Sequence, residues 1–359
     1  MADDRDPQSV NRASVVRRAM LQGAGLAGVA GALSLLGSEP ARAAGLPSHP
    51  KWRFVFVNHV TTNPFFVPTQ YGIQDACALL NCTHQWTGSE TSDIAQMVNA
   101  MNAAIASHAD GIAVSIVDPR AFNAPVEKAL AAGIPVVSYN ADAPAASGNK
   151  RLAYIGQDLY LSGYQMGERI ASMVDSGRVA IFIATPGQLN IQPRMDGAIA
   201  AIKKSGKNIQ VDSIASGPTV NEELSRIRSY YLGHQDVKGM FAVDAGSTQG
   251  VGEVMQQFNL PKKGVHAGGY DLLPKTLQLI SQGVLDFTID QQAYLQGFYP
   301  IMELFLFQMS GGLTGPSDIN TGLKFVTKGS VGPYLSNKDR YEGSSTAEEV
   351  IKHTGPITV

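Results

Sequence analysis

From Lys51 onward the chain alternates short apolar runs with longer stretches whose apolar residues recur at helical spacing. Runs such as IAVSIV (Ile112–Val117) and VAIFIA (Val179–Ala184) show little polar alternation, the pattern of strands buried on both faces. The pattern predicts strands at Phe54–Val57, Thr83–Thr87, Gly111–Ile116, Pro135–Tyr139, Leu152–Ile155, Arg178–Ala184, Ile209–Ala215, Met240–Val243, Val265–Gly269 and Phe287–Ile289. Between them it predicts helices over Val67–Leu80, Asp93–Ser107, Ala121–Ala132, Leu161–Asp175, Pro193–Lys204, Asn221–Tyr231, Ser247–Phe258, Leu273–Ser281 and Ala293–Met309. Strands alternating with helices of this length imply parallel sheets built from right-handed crossovers. The rhythm breaks at Ala143–Lys150 (APAASGNK), after which the same order restarts. Two lobes of about five strands each are therefore expected rather than one oversized sheet. The fold class is α/β, with two doubly wound parallel-sheet lobes.

The first strand runs into VNHVTTNPFFV, Val57–Val67. Pro64 suits a helix's first turn, where its missing N–H would have no intrahelical partner. The residues before it are then held at a strand's carboxyl end, where α/β sheets bind ligands. Phe65 and Phe66, beside Asn63 and His59, offer a stacking face and hydrogen-bonding groups. That combination suits a sugar, which has apolar C–H faces and a rim of hydroxyls. Other polar residues share the same station. Asn140 ends the strand VVSYN, Arg194 follows the AIFIATPG strand and loop, Asp244 follows FAV, Asp271 ends GGYD and Gln291 follows FTID. Each has a plainer reading. Asp244 and Asp271 would serve equally as helix N-caps, Arg194 as a surface ion-pair partner, His59 as a structural side chain and one of the two phenylalanines as core.

Composition narrows the class. The chain has 359 residues, 44% hydrophobic and 16% charged, with a formal net charge of −2. That length suggests two domains, and near-neutral charge without a Lys/Arg run argues against a nucleic-acid partner. The N-terminus reads as a targeting segment. Arg17 and Arg18 precede an Ala/Gly-rich apolar run from Ala24 to Leu36, then Pro40 and the tripeptide Ala41-Arg42-Ala43. This resembles a twin-arginine export signal over residues 1–43, cleaved near Ala43/Ala44, and places the mature chain in the periplasm. The run is shorter than the roughly 20 strongly apolar residues a membrane span prefers. Gly23–Gly28 matches G-x-G-x-x-G, but no strand precedes it and no acidic residue lies at the ribose distance, so no dinucleotide cofactor is implied. Neither a cofactor nor a metal is expected. Cys77 and Cys82 are the sole cysteines. Export permits a disulfide between them, two buried thiols being the alternative, and their spacing without a second Cys pair argues against zinc.

The order of elements resembles the ribose-binding type of periplasmic substrate-binding proteins, the soluble receptors of ABC importers for sugars. The motifs that carry it are NPFF (Asn63–Phe66), AAGIPVVSYNAD (Ala131–Asp142), YIGQDLYLSGYQMGE (Tyr154–Glu168), PRMDGA (Pro193–Ala198), FAVDAGSTQGV (Phe241–Val251), GGYD (Gly268–Asp271) and TIDQ (Thr288–Gln291). The resemblance spans Lys51 to Gly322. It implies a three-strand hinge between an N-terminal lobe of 51–156 plus 291–320 and a C-terminal lobe of 157–290 plus 321–335, with 336–359 as a tail. It also implies that His59, Asn63, Phe65, Phe66, Asn140, Arg194, Asp244, Asp271 and Gln291 surround a small sugar or polyol. Expected partners are the permease subunits of an ABC importer and a chemoreceptor, with the receptor itself a monomer. Two departures separate this chain from ribose receptors. Asn140-Ala141 replaces their Asp-Arg pair, and no aromatic near Gly217–Thr219 completes the ring sandwich. A hexose, another pentose or a polyol is therefore expected. A furanosyl autoinducer or nucleoside is an alternative guest. A sugar hydrolase using Asp244 and Asp271 as an acid/base pair is the enzymatic rival, although G-x-S-x-G, H-E-x-x-H and Walker A motifs are all missing. A lac-repressor-type regulator shares the two-lobe core, but an export segment stands where its helix-turn-helix would be.

Overall fold

The computed structural model describes residues 47–312 and 315–336. The export segment, its cleavage point, the glycine motif at Gly23–Gly28 and all but the first residue of the 336–359 tail lie outside the described residues. Twelve strands are formed among those described. In chain order they are β1 (Arg53–Asn58), β2 (Thr83–Gly88), β3 (Gly111–Val114), β4 (Val136–Tyr139), β5 (Tyr154–Gly156) and β6 (Ser176–Ile183). Then follow β7 (Asn208–Ala215), β8 (Gly239–Ala242), β9 (His266–Tyr270), β10 (Phe287–Asp290), β11 (Asp318–Asn320) and β12 (Lys324–Val326). The helices are α1 (Val67–Leu80), α2 (Ile94–Ala106), α3 (Asn123–Ala131), α4 (Leu159–Met173) and α5 (Gln192–Lys204), with α6 (Val220–Gly233), α7 (Ala245–Gln257), α8 (Pro274–Ser281), α9 (Leu295–Ser310) and α10 (Gly332–Ser336).

The strands form two six-stranded sheets, ordered β11-β5-β4-β3-β1-β2 and β12-β10-β9-β8-β6-β7. From the second strand on, the orders are the same list shifted by five, so β1 corresponds to β6, β4 to β9 and β5 to β10, while β11 and β12 take the same edge of their two sheets. All pairings are parallel except β12 on β10. Alternation along a strand explains why both faces are covered. Val55 and Val57 of β1 enter one core, while Phe54 and Phe56 enter the core on the opposite face. In the second sheet Ala180 and Phe182 enter one core, and Val179, Ile181 and Ile183 the other.

The chain passes from one sheet to the other between β5 and α4, between β10 and α9, and between β11 and β12. The ten strands read from the sequence are all present with ends shifted by two residues or fewer. β11 and β12 are additions, which make six strands per sheet rather than five. Their segments, DIN and KFV, are three residues long and too short to carry a period.

The structure does not bridge Cys77 and Cys82. Both are free and buried. Helix α1 ends at Asn81 in the left-handed conformation (φ 50°), so Cys82 N–H donates to the Cys77 carbonyl at 3.0 Å. The two side chains hydrogen-bond each other as thiols, which pushes Cys77 up.

Candidate functional site

All nine residues singled out from the sequence line one cavity of about 50 Å³, together with Asn190, Ile191 and Ala245. A second cavity of about 50 Å³ shares His59, Asn63, Asn190, Ile191 and Asp244 and adds Ser92, Gln188 and Glu223. One water needs roughly 10–15 Å³ on such a measure, so each space has room for a few waters. The walls come from the carboxyl ends of strands in both sheets, where helix starts also converge.

From the first sheet, His59 follows β1 and is buried. Its Nδ1 lies 2.9 Å from Ser115 Oγ, and its Nε2 lies 3.1 Å from Asn190 Nδ2. An amide nitrogen only donates, so Nε2 accepts and the ring proton sits on Nδ1. Burial lowers the imidazole to about 3, which keeps it neutral. Asn63 caps the turn Pro64–Phe66 by accepting from Phe65 N at 2.9 Å. Phe66 is part of the hydrophobic core and meets His59 and Phe65 edge-on, with ring centres 5.4 and 4.7 Å away. Phe65 is half-buried. Asn140 follows β4 with φ 63°, and its Nδ2 donates to Gln296 Oε1 at 3.0 Å.

From the second sheet, Arg194 is buried at the start of α5. Its Nη1 donates to the Val243 carbonyl (3.0 Å), its Nη2 to Gln157 Oε1 (3.2 Å), and the guanidinium lies 4.1 Å from the Tyr270 ring centre. Its Nε is buried without a partner, and so is Asn190 Oδ1. One is a donor and the other an acceptor, and leaving both dry is costly. A hydroxyl, which both donates and accepts, matches that demand.

Asp244 is an N-cap after all: its Oδ1 accepts from Ser247 N (2.9 Å) at the start of α7, and its Oδ2 accepts from Ala184 N (3.0 Å). It nonetheless lines both cavities. Asp271 is not a cap, because α8 begins at Pro274 with Leu273 in the cap position. It is buried in left-handed backbone (φ 74°) and accepts from Gln291 Nε2 at 2.7 Å. Burial raises its carboxyl to about 7, against the opposing pull of Arg194 and Gln291.

The crossing segments tie the two sides together. Gln157 follows β5 and Gln291 follows β10, at corresponding places in the two sheets. Gln157 Nε2 donates to the Gly322 carbonyl (3.1 Å), and Thr321 Oγ1 donates to the Gln291 carbonyl (2.8 Å). Gln296 Nε2 reaches the Gln291 carbonyl, 3.1 Å away. On the other side, the loop between β6 and α5 touches the first sheet directly. Ser92 Oγ donates to Gln188 Oε1 (2.7 Å), and Leu189 N donates to the Val117 carbonyl (3.0 Å).

Sequence reading did not single out Asn190, Glu223, Gln157 or Gln296. Asn190 stands four residues before Arg194, a spacing that could have flagged it. Glu223 sits in an acidic first turn that looks solvated. No second-sheet aromatic lines either cavity, Ala184, Ile191, Pro218 and Ala245 being the apolar residues there. Beyond Phe65 lies a more apolar pocket of about 160 Å³, walled by Pro64, Val67, Pro68, Leu272 and Leu273. Among the described residues no three or more His, Cys, Asp or Glu side chains gather as metal ligands, and no helix is long and apolar enough to cross a membrane.

Two α/β layers whose strand ends enclose a polar cavity define a two-lobed solute-binding scaffold. The model of the periplasmic binding protein domain matches residues 54–307, and the chain belongs to the periplasmic binding protein family. It is 56% identical over 314 residues to the xylose/arabinose-binding protein XylF of Sulfolobus acidocaldarius, covering 84% of this chain and 77% of that one. A solute-binding protein of Burkholderia graminis, solved in complex with D-arabinose, matches with a TM-score of 0.73 at 25% identity, over 80% of this chain and 99% of its own. AraP, an arabinose-binding protein of Geobacillus stearothermophilus, matches with a TM-score of 0.63 at 27% identity, over 79% and 98%. All three are named for binding, not for catalysis. Family membership implies an exported chain.

Proposed function

We propose that this protein is the exported receptor of an ABC importer and captures a pentose of the xylose/arabinose kind between two lobes. The carrying observation is that Arg194 Nε, a buried donor, and Asn190 Oδ1, a buried acceptor, both lack a partner on residues that line the same polar cavity. The sugar class is supported by the 56% identity to a xylose/arabinose-binding protein.

On this reading the lobes comprise 51–156 plus 291–320 and 157–290 plus 321–335, and the three crossings act as the hinge. Guest contacts on both lobes exist together in the closed state, so binding shifts the population toward it. His59, Asn63, Phe65, Phe66, Asn140 and Gln291 grip one side, and Arg194, Asp244 and Asp271 the other. No bond is made or broken. Export uses the twin-arginine segment with cleavage near Ala43/Ala44, and the closed monomer docks on the permease subunits and on a chemoreceptor. A thermal-shift screen of pentoses, hexoses, tetritols, inositols and aryl glycosides on the protein from Ala44 onward tests the reading. Xylose and arabinose should raise the melting temperature without turnover. Glycoside hydrolysis, or no shift with any sugar or polyol, would overturn it.

A further inference from the structure

Behind Asp244 stands a second carboxyl that the guest grip does not use. Glu223 lies in the first turn of α6, is buried, and borders the cavity shared by His59, Asn63 and Asp244. Its side chain occupies a slot that exists because residue 246 is glycine: a Cβ there would stand 1.8 Å from Glu223 Oε2. Ser247 Oγ donates to Glu223 Oε1 at 3.3 Å and lies 2.7 Å from Ser216 Oγ. Ser247 brings the two carboxyls together, since its N–H donates to Asp244 Oδ1 at 2.9 Å, and both side chains line the same cavity.

Two carboxyls so placed must share a proton unless a cation stands by. The charged or titratable groups around Glu223 are Asp244 at the start of α7, Glu222 on its own helix and the neutral His59 from the end of β1. No lysine or arginine borders that cavity, and Arg194, which lines the adjoining one with Asp244, directs its Nη groups to the Val243 carbonyl and Gln157 Oε1. Burial, then the neighbouring Asp244 charge, hold Glu223 well above the usual carboxylate range.

A carboxylate offers about four lone-pair directions. Ser247 N–H and Ala184 N–H take two of those on Asp244, and a protonated Glu223 takes a third. Resting on the sugar-receptor reading, we propose that Glu223 is a positioning residue of the guest site: as a carboxylic acid it donates to Asp244 and leaves that carboxylate one acceptor place, for one guest hydroxyl. Asp244 thereby accepts from the guest in a fixed direction. Loss of the proton would set two negative groups against each other at the cavity wall and weaken the grip.

Calorimetric titration with D-xylose, of wild type, Glu223→Gln and Glu223→Ala, tests this. Near neutral pH, Glu223→Ala should bind at least about tenfold more weakly, the scale of a hydrogen bond to a charged group. Glu223→Gln, which keeps a donor, should restore most of the affinity. Raising the pH toward about 10 should weaken wild type but not Glu223→Gln, since an amide has no proton to lose there. Wild-type affinity in Glu223→Ala, or a parallel alkaline loss in wild type and Glu223→Gln, would overturn the proposal. Melting of the sugar-free proteins gives a separate readout. Glu223→Gln should gain on wild type as pH rises, whereas a constant difference would show Glu223 already ionised. If wild type binds no pentose at all, the receptor reading fails while the melting comparison still decides the state of Glu223.

Discussion

Asn140 and Asp271 occupy corresponding positions in the two sheets. One follows β4 and the other β9, both hold left-handed backbone (φ 63° and 74°), and both line the same cavity. A left-handed turn at a non-glycine residue is uncommon and costs free energy, although Asn and Asp tolerate it best. Here it redirects the chain at the strand end so that a short polar side chain stays in the cavity wall. Asn140→Gly should therefore keep the fold's stability better than Asn140→Ala, which should lose about 1–2 kcal/mol in denaturant unfolding.

Asp271 should make the empty protein more stable in acid than in base. Its carboxyl is raised in the folded state to about 7. Its contribution is fully present below the ordinary value of 3.8 and is lost as pH rises through about 7. Each pH unit in that window costs at most about 1.4 kcal/mol. Asp271→Asn should flatten the stability profile between those limits and gain on wild type above neutrality. Guest hydroxyls favour the carboxylate, so pentose binding near pH 7 should release protons, detectable as a buffer dependence of the binding heat.

The contacts of Gln188 with Ser92 join the two sides with no guest involved. Ser92→Ala removes the hydroxyl's bond and keeps the one to the Ser92 carbonyl, and should destabilise the closed state without touching sugar discrimination. Affinities for xylose and arabinose should fall by a common factor of about 2–10, the worth of one hydrogen bond. Unequal losses would place Ser92 in guest recognition instead.

Gly163 shows how far a cavity residue depends on packing behind it. Helices α4 and α5 approach so closely that a Cβ at Gly163 would lie 2.0 Å from the Arg194 carbonyl oxygen. Backbone must move to admit it, and Arg194 moves with it. Gly163→Ala should cost about 1–3 kcal/mol of stability, the usual scale of overpacking, and weaken pentose binding in the same variant.

The fold was legible because its central strands are buried on both faces and its helices recur between them. That regularity marks ten strands, and the rule that ligands sit at strand carboxyl ends led to residues which the structure gathers around one cavity. What escaped lacked a periodic signal. β11 and β12 are too short, and Asn190 lies in the loop between β6 and α5. Glu223 sits beside Glu222 in a first turn, where carboxylates ordinarily face water and favour the helix dipole. The cysteine spacing spoke for proximity, which the structure shows, but not for oxidation state.

On the receptor reading, both sheets hold one guest at once. Pentose affinity measured by calorimetry for Asn140→Ala and Asp271→Ala, one variant from each sheet, tests that most directly. Both should retain a single site per molecule, and each should bind at least about tenfold more weakly than wild type. Undiminished affinity in either one would mean that half of the cavity wall takes no part in the grip, and would contradict the account.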